Sequence, residues 1–301
     1  MVGSAYTTKD LSASNNPLTT PETIEAAIKL QYHKNLIGRN LLGYQKIETS
    51  TTSTIEEGDT QGDIDWLSEN GSLPKMDFTF VKGTKRVRPY GGYFEVTEEQ
   101  QMDQLVDEIR VMVNNVAYSM AYFEDLVIFN DIISATGINS IDAKKPWDVA
   151  TGSTAGDPAF DVGKAKRAIK VATKYTQRAD TILMSSLTIQ YMTAFDYIKS
   201  RLYNTQGADG YIVTGVVPTF QGLVVVEDDA IDPNDEGRAL VFKQKDIGIW
   251  QERFGITTKS IPGELLGKDM IAFKSTAKAK GEPNIKFPKL GCIIEGLYTS
   301  T

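Results

Sequence analysis

Histidine and cysteine are nearly absent from this chain: His33 and Cys292 are single occurrences. One cysteine excludes an intrachain disulfide and fits assembly in a reducing cytoplasm. One histidine excludes histidine-rich metal sites, and a Ser-His-Asp or Cys-His arrangement would have to use His33. His33 falls at the polar end of a short helical segment, so an exposed surface histidine is expected. Cys292 sits in the apolar run Leu290-Gly291-Cys292-Ile293-Ile294, so a buried structural thiol is expected. No apolar run is long enough to cross a bilayer. The segment Met1-Val2-Gly3-Ser4-Ala5-Tyr6-Thr7-Thr8 lacks a basic region followed by an apolar core, so no secretory signal is read there. Positive charge is also short. A net charge of -7 argues against a free-standing nucleic-acid binder, though not against a container whose wall tolerates nucleic acid inside.

Chemical motifs are missing as well. Gly163-Lys164 invites a phosphate-loop reading, but Pro158 stands where the earlier glycine belongs and Ala165 replaces the hydroxyl residue. Asp232-Pro233-Asn234-Asp235-Glu236-Gly237 begins like a calcium loop, yet its twelfth position is Lys243 rather than a bidentate glutamate, so an acidic turn is expected. No dinucleotide glycine fingerprint or zinc spacing occurs. The acidic clusters Glu56, Glu57, Asp59 and Glu227, Asp228, Asp229 read as solvated loops. No catalytic, cofactor-binding or metal-binding residue is assigned.

What remains is architectural. Tyr93 to Thr136 contains neither glycine nor proline. Met102, Leu105, Val106, Ile109, Met112, Val113, Val116 and Met120 recur at three-four spacing, which predicts one amphipathic helix. Thr97-Glu98-Glu99-Gln100 forms a capping box at its start, and Gly137 is a natural stop. From Thr97 to about Ile133 it would span roughly 55 Å. Before it, Ile55 to Glu95 suggests a large hairpin with turn signals at Asn70-Gly71 and Lys82-Gly83. Met76, Phe78 and Phe80 alternate with smaller or polar neighbours, and Pro74 and Pro89 suit an edge strand. Residues 49–54, all Thr and Ser, read as a polar link, either a plain surface loop or an extended inter-subunit arm. The run Lys82, Lys85, Arg86, Arg88 has three readings: a solvated hairpin tip, a docking element for acidic loops of another copy, or a phosphate contact.

Elsewhere, residues 1–20 are too polar to bury a core. Pro21 opens a helix with Ile24, Ala27 and Ile28 on one face. Residues 137–160 look loop-like. Asp161 to Tyr175 reads as a helix with a Lys-rich face, and Ser185 or Ser186 caps another reaching about Tyr203. Strands are expected over Tyr211–Val217, Gly222–Val226, Arg238–Lys243 and Ile247–Glu252, with residues 269–298 returning to the first layer. The class is α+β.

Trp66-Leu67-Ser68-Glu69-Asn70-Gly71-Ser72-Leu73-Pro74, followed by Phe78 and Phe80, resembles a segment of tailed-virus major capsid proteins of the Hong Kong 97-type fold. In that family it lies in an extended arm, the E-loop, followed by a strand and a long spine helix. Phe123-Glu124-Asp125-Leu126-Val127-Ile128 resembles the end of that helix. Gly215 to Val226 and Ala239-Leu240-Val241-Phe242 to Trp250-Gln251-Glu252-Arg253 resemble the axial-domain segments.

The resemblance implies four parts. Residues 1–48 would be an N-terminal arm with a short helix and 49–96 the E-loop. Residues 97–154 and 261–301 would form the peripheral domain, and 155–260 the axial domain. It implies a non-enzymatic shell protein of the virion capsid, assembled in the host cytoplasm around double-stranded DNA. Its partners would be itself as hexamers and pentamers, a portal protein and scaffolding or decoration proteins, with no membrane. The long N-terminal scaffolding extension of some members is not expected here. Candidate inter-subunit contacts are Trp66, Glu69, Pro74, Lys82, Lys85, Arg86, Arg88, Glu227, Asp228 and Asp229. Two alternatives remain: an encapsulin-type shell around a cargo enzyme, and a soluble enzyme or ligand-binding protein.

Overall fold

The computed structural model describes residues 21–49, 51–61, 77–99, 106–149, 155–198, 219–262 and 271–299. Residues 1–20, the segment Trp66 to Pro74, Gln100 of the capping box and the expected strand Tyr211–Val217 lie outside the described residues.

Helix α1 (Pro21–Asn35) starts on its proline, whose missing N–H costs nothing at the first helical position. It buries Ile24, Ile28 and Tyr32. After the short α2 (Gly38–Leu41) come β1 (Gly43–Lys46), β2 (Thr51–Gln61), β3 (Asp77–Arg86) and β4 (Arg88–Thr97). The long helix α3 is described over Val106–Ile133 and ends where the apolar periodicity does. Gly137 lies just beyond at φ 89°, a left-handed conformation that favours glycine.

Strands β10 (Gly248–Pro262) and β11 (Ile271–Ile285) form a long antiparallel pair. With β1 and β4 they make a four-stranded sheet in the order β1-β10-β11-β4. Pro89 lies in the edge strand β4, where a missing amide is tolerated. Helices α1 and α3 cover this sheet: Ile28, Ile109, Val113 and Ala117 meet Phe94, Val96, Phe273 and Ala277. Gly281 lacks a side chain for a steric reason, since a Cβ there would lie 2.2 Å from the buried Trp250 indole.

A six-stranded sheet runs in the order β5-β12-β9-β6-β8-β7. Its strands are β5 (Asn139–Asp142), β6 (Thr181–Met184), β7 (Thr219–Phe220), β8 (Leu223–Glu227), β9 (Ala239–Phe242) and β12 (Gly291–Glu295). Helices α4 (Pro158–Ala172) and α5 (Ser186–Ala194) flank it. A third apolar cluster joins the two sheets through the C-terminal end of α3. There Ile128, Phe129 and Ile132 pack with Leu183, Leu240, Phe242, Trp250 and Ile293. The long helix is thus a shared strut, while its outer side chains Val111, Tyr118, Tyr122 and Phe123 stay about half exposed.

Four expectations are corrected. Residues 51–54 are not a link but the start of β2, paired with Arg86, Lys85, Thr84 and Gly83 of β3; their β-branched side chains favour the strand. Lys82-Gly83 is therefore mid-strand rather than a turn. The loop-like stretch 137–160 contains β5, an edge strand too short to show periodicity. Residues 269–298 divide: β11 joins the first sheet and β12 joins the six-stranded one. Strand β6 is buried at all four positions, so no alternation marks it. Helix α5 breaks at Phe195, which turns extended with its ring buried, and helical structure resumes over 196–198; residues 199–203 of the expected helix lie outside the described residues. His33 is exposed, and Cys292 is fully buried, which pushes its thiol up to about 12.

Candidate functional site

The expected contact residues fall at two places, and a third cluster was not anticipated. Among the described residues, strands β2 and β3 pair only with each other, forming a ribbon outside both larger sheets. At its root, Val87 is buried and the neighbouring cations turn back onto their own chain. Lys85 Nζ pairs with Asp131 of α3 and donates to the Pro283 carbonyl at 3.0 Å. Glu282, almost fully buried, takes Arg88 Nη2 at 3.0 Å and has Lys85 Nζ at 3.6 Å. Lys85 and Arg88 therefore set the direction in which the ribbon leaves the body. Arg86 is exposed and has no partner among the described residues. The side chain of Lys82, and Trp66, Glu69 and Pro74 entirely, lie outside the described residues. Asp131 and Glu282 were not legible as partners, because they lie 46 and 194 positions from the cations they bind.

The acidic cluster is only partly free. Glu227 is exposed, but Asp228 Oδ1 accepts from Ala230 N at 2.9 Å. Asp229 Oδ1 accepts from both Ser186 N and Ser186 Oγ at 2.7 Å, at the start of α5. A carboxylate there satisfies an otherwise unpaired helix amide. The loop beyond behaves similarly: Asp232 accepts from the amides of Glu236, Gly237 and Arg238. Gly163-Lys164 lies inside α4, away from any loop that could cradle phosphate. Among the described residues no group of three or more His, Cys, Asp or Glu could hold a metal ion.

The third cluster is a buried polar network where α1, α2, β4, α3 and β10 meet. Glu124 lies on the face of α3 otherwise lined by Ile109, Val113, Ala117, Met120 and Ile128. Its oxygens receive Arg39 Nε at 2.7 Å and Nη2 at 2.9 Å, a bidentate pair. The Tyr32 and Tyr90 hydroxyls also donate to Glu124. Arg39 Nη1 reaches Glu252 at 3.0 Å, and the guanidinium stacks over the Tyr32 and Trp250 rings. Burial, then the Glu124 charge, raises both tyrosine hydroxyls, so they remain donors. The sequence signal was the pair Glu124-Asp125 interrupting an apolar helix face, which periodicity alone does not translate into a partner.

Asp125, also buried, accepts from Gly38 N at 2.7 Å and Ile37 N at 3.3 Å. Burial first, and then the Asp228 charge, raise its carboxyl from 3.8 to about 7. The folded state therefore holds this proton more tightly than the unfolded chain. Between pH 4 and 7 that makes stability fall as pH rises, with the full cost present above pH 7. Asp125→Asn is expected to flatten this slope, because it removes the titrating proton, while its single amide oxygen can serve only one of the Ile37 and Gly38 amides. Urea unfolding from pH 4 to 8 checks it, and an unchanged slope would contradict it.

Comparison with known proteins follows the same lines. The model of a phage capsid protein family matches residues 82–277. No curated protein sequence matches the chain. Among solved structures, the virus-like particle from Pyrococcus furiosus is 12% identical with a TM-score of 0.61, covering 91% of this chain and 98% of that one. Mycobacterium phage Che8 matches at 12% identity and TM-score 0.62, covering 88% and 92%. The capsid of the Myoviridae phage XM1 matches at 10% and 0.55, covering 98% and 100%. At these identities the likeness is one of fold.

Proposed function

The chain belongs to the phage capsid protein family, has the α+β Hong Kong 97-type fold and serves a structural role in a viral capsid, and from that premise we propose that many copies close into an icosahedral shell around the double-stranded DNA of a tailed bacterial or archaeal virus. Kinship with shell proteins implies self-association. In this reading the copies form hexamers and pentamers in the host cytoplasm. A portal protein and scaffolding or decoration proteins join them, and the DNA is contacted without sequence preference. Residues 1–48 are the N-terminal arm and short helix, and 49–96 the E-loop with its root. Residues 97–154 and 261–301 form the peripheral domain, and 155–260 the axial domain, to whose sheet β5 and β12 contribute.

The observation that carries this reading is the β2–β3 ribbon. Two-stranded ribbons are marginal alone in water. This one leaves both long edges free of its own chain's sheets, while Lys85 and Arg88 aim it from the root. Such a strand pair gains by lying on a neighbour, so its ordering is coupled to assembly. Trp66, Glu69, Pro74, Lys82 and Arg86 are the contacts on the arm, with Lys85 and Arg88 positioning it. Glu227, Asp228 and Asp229 are contacts on the receiving side.

Negative-stain microscopy and size-exclusion chromatography of the expressed chain test the shell directly, closed particles being the expected result. Nuclease-protected DNA inside them would distinguish a virion shell from a cargo compartment, and a stable monomer would defeat both. Reversing charge in Lys85→Glu, Arg86→Glu and Arg88→Glu together is expected to cost on the order of 1–2 kcal/mol of folding stability. Particle yield should drop far more steeply. Unchanged yield would remove these residues from the assembly contacts.

A further inference from the structure

Helix α4 has two faces of opposite chemistry. Val162, Ala165 and Ile169 are fully buried against the six-stranded sheet. The other side carries Lys164, Lys166, Arg167 and Lys170, and the chain continues through Lys174 and Arg178. Against these six cations, residues 158–178 contain one carboxylate, Asp161. It is completely buried and spent elsewhere, accepting from Lys144 N and Trp147 Nε1 at 2.9 Å each. The N-cap carboxylate, Asp157, accepts from Phe160 N.

On the helix, Lys164 and Lys166 are held by carbonyl oxygens, which do not neutralise them. Lys164 Nζ donates to the Asp142 carbonyl at 3.4 Å, and Lys166 Nζ to the Gln221 carbonyl at 2.7 Å. Among the described residues no carboxylate pairs with Lys164, Lys166, Arg167 or Lys170. Burial and the like charge of Lys170 one turn away lower the proton affinity of Lys166. An ordinary solvated helix face intersperses the two signs and gains from pairs three or four residues apart. This face instead concentrates one sign within a chain whose net charge is -7.

We propose that this basic face of α4 is the surface on which double-stranded DNA lies, held through its phosphates without regard to base sequence. The occupant follows from the chemistry. A protein partner would call for an apolar or aromatic centre. The exposed apolar side chains Phe160 and Val171 sit at the two ends of the helix, and between them the four cations have nothing more apolar than Ala168 beside them on this face. Phosphate contacts need no such centre. A duplex offers one negative charge per ~1.7 Å of its length, so a face about 9 Å long meets several phosphates in any register.

The inference names the DNA-contacting surface of the shell reading and rests on it for its biological setting, but its test does not require a shell. A random-sequence duplex of about 30 base pairs is titrated against the unassembled full-length chain by fluorescence anisotropy, between about 50 and 200 mM salt. The wild type should bind with a logarithmic salt dependence of about 0.9 per phosphate contact. The quadruple variant Lys164→Gln, Lys166→Gln, Arg167→Gln, Lys170→Gln should lose up to about 3.6 of that slope, and more than tenfold in affinity at low salt. Lys278→Gln with Lys280→Gln on β11 should bind as wild type does. If circular dichroism shows the quadruple variant unfolded, Lys164→Gln with Arg167→Gln replaces it, with about half the slope change expected. Failure of the wild type to bind, or equal binding by the folded variant, overturns the proposal. Retained binding with lost particle formation also overturns it and makes the face a contact between copies. A wild type that binds duplex through this face yet forms no particles leaves the inference standing and defeats the shell reading.

Discussion

Arg39→Met is expected to cost the unassembled chain roughly 3–5 kcal/mol, because it strands a buried carboxylate. The Glu124 side chain is fully withdrawn from water and has Arg39 as its bidentate partner. With the guanidinium gone, the donors left to it among the described residues are the hydroxyls of Tyr32 and Tyr90. Two neutral hydrogen bonds do not replace a charge-assisted bidentate pair. Packing is lost too, since the guanidinium fills the space between the Tyr32 and Trp250 rings. Adding Glu124→Gln to Arg39→Met should recover part of the loss by removing the unpaired charge while keeping an acceptor. Urea unfolding of both variants checks this. Because the pair is buried, the difference should change little with ionic strength. A loss well under 1 kcal/mol would mean that water already screens the pair.

Removing the ribbon should have the other large effect, on assembly and not on folding. Replacing Thr52–Thr84 with a short Gly-Ser linker deletes nearly all of β2 and β3 but keeps Lys85, Val87 and β4. Neither larger sheet loses a strand, because the ribbon belongs to neither. The melting temperature of the unassembled chain should therefore shift little, and closed particles should vanish from electron micrographs. Normal particles from this variant would sink the proposal that the ribbon clasps neighbouring copies.

The network around Arg39 shows where sequence reading stops. Glu124 and Asp125 entered the sequence reading only as part of Phe123 to Ile128, the segment that resembles the end of the long helix. Nothing local indicated that Glu124 meets an arginine 85 positions earlier, or that Asp125 meets the amides of Ile37 and Gly38. The basic run shows the same limit. Lys85 and Arg88 were read as a hairpin tip or docking element, yet they lie at the ribbon's root, held by Asp131 and Glu282. The Thr/Ser stretch at 49–54 was read as a polar link, either a surface loop or an inter-subunit arm, and its pairing with β3 was not legible because a flat, polar ribbon strand shows no strong alternation.

By itself, the sequence determined what depends on neighbours along the chain. Uninterrupted three-four periodicity specified the long helix and its end near Ile133. Proline at position 21 specified the start of α1, and Ser185 the cap of α5. The scarcity of histidine and cysteine removed most metal and nucleophile readings, and the shell-forming reading came from the resemblance of the segment Trp66 to Pro74 and of the order of elements to tailed-virus capsid proteins. Only the tertiary structure decided which distant groups share one place. It divided residues 271–295 between two sheets, made α3 the strut common to both, and paired the buried Glu124 with Arg39. The reason is physical: periodicity reports which side of an element is buried, whereas the partner of a buried polar group is selected by desolvation in the assembled core.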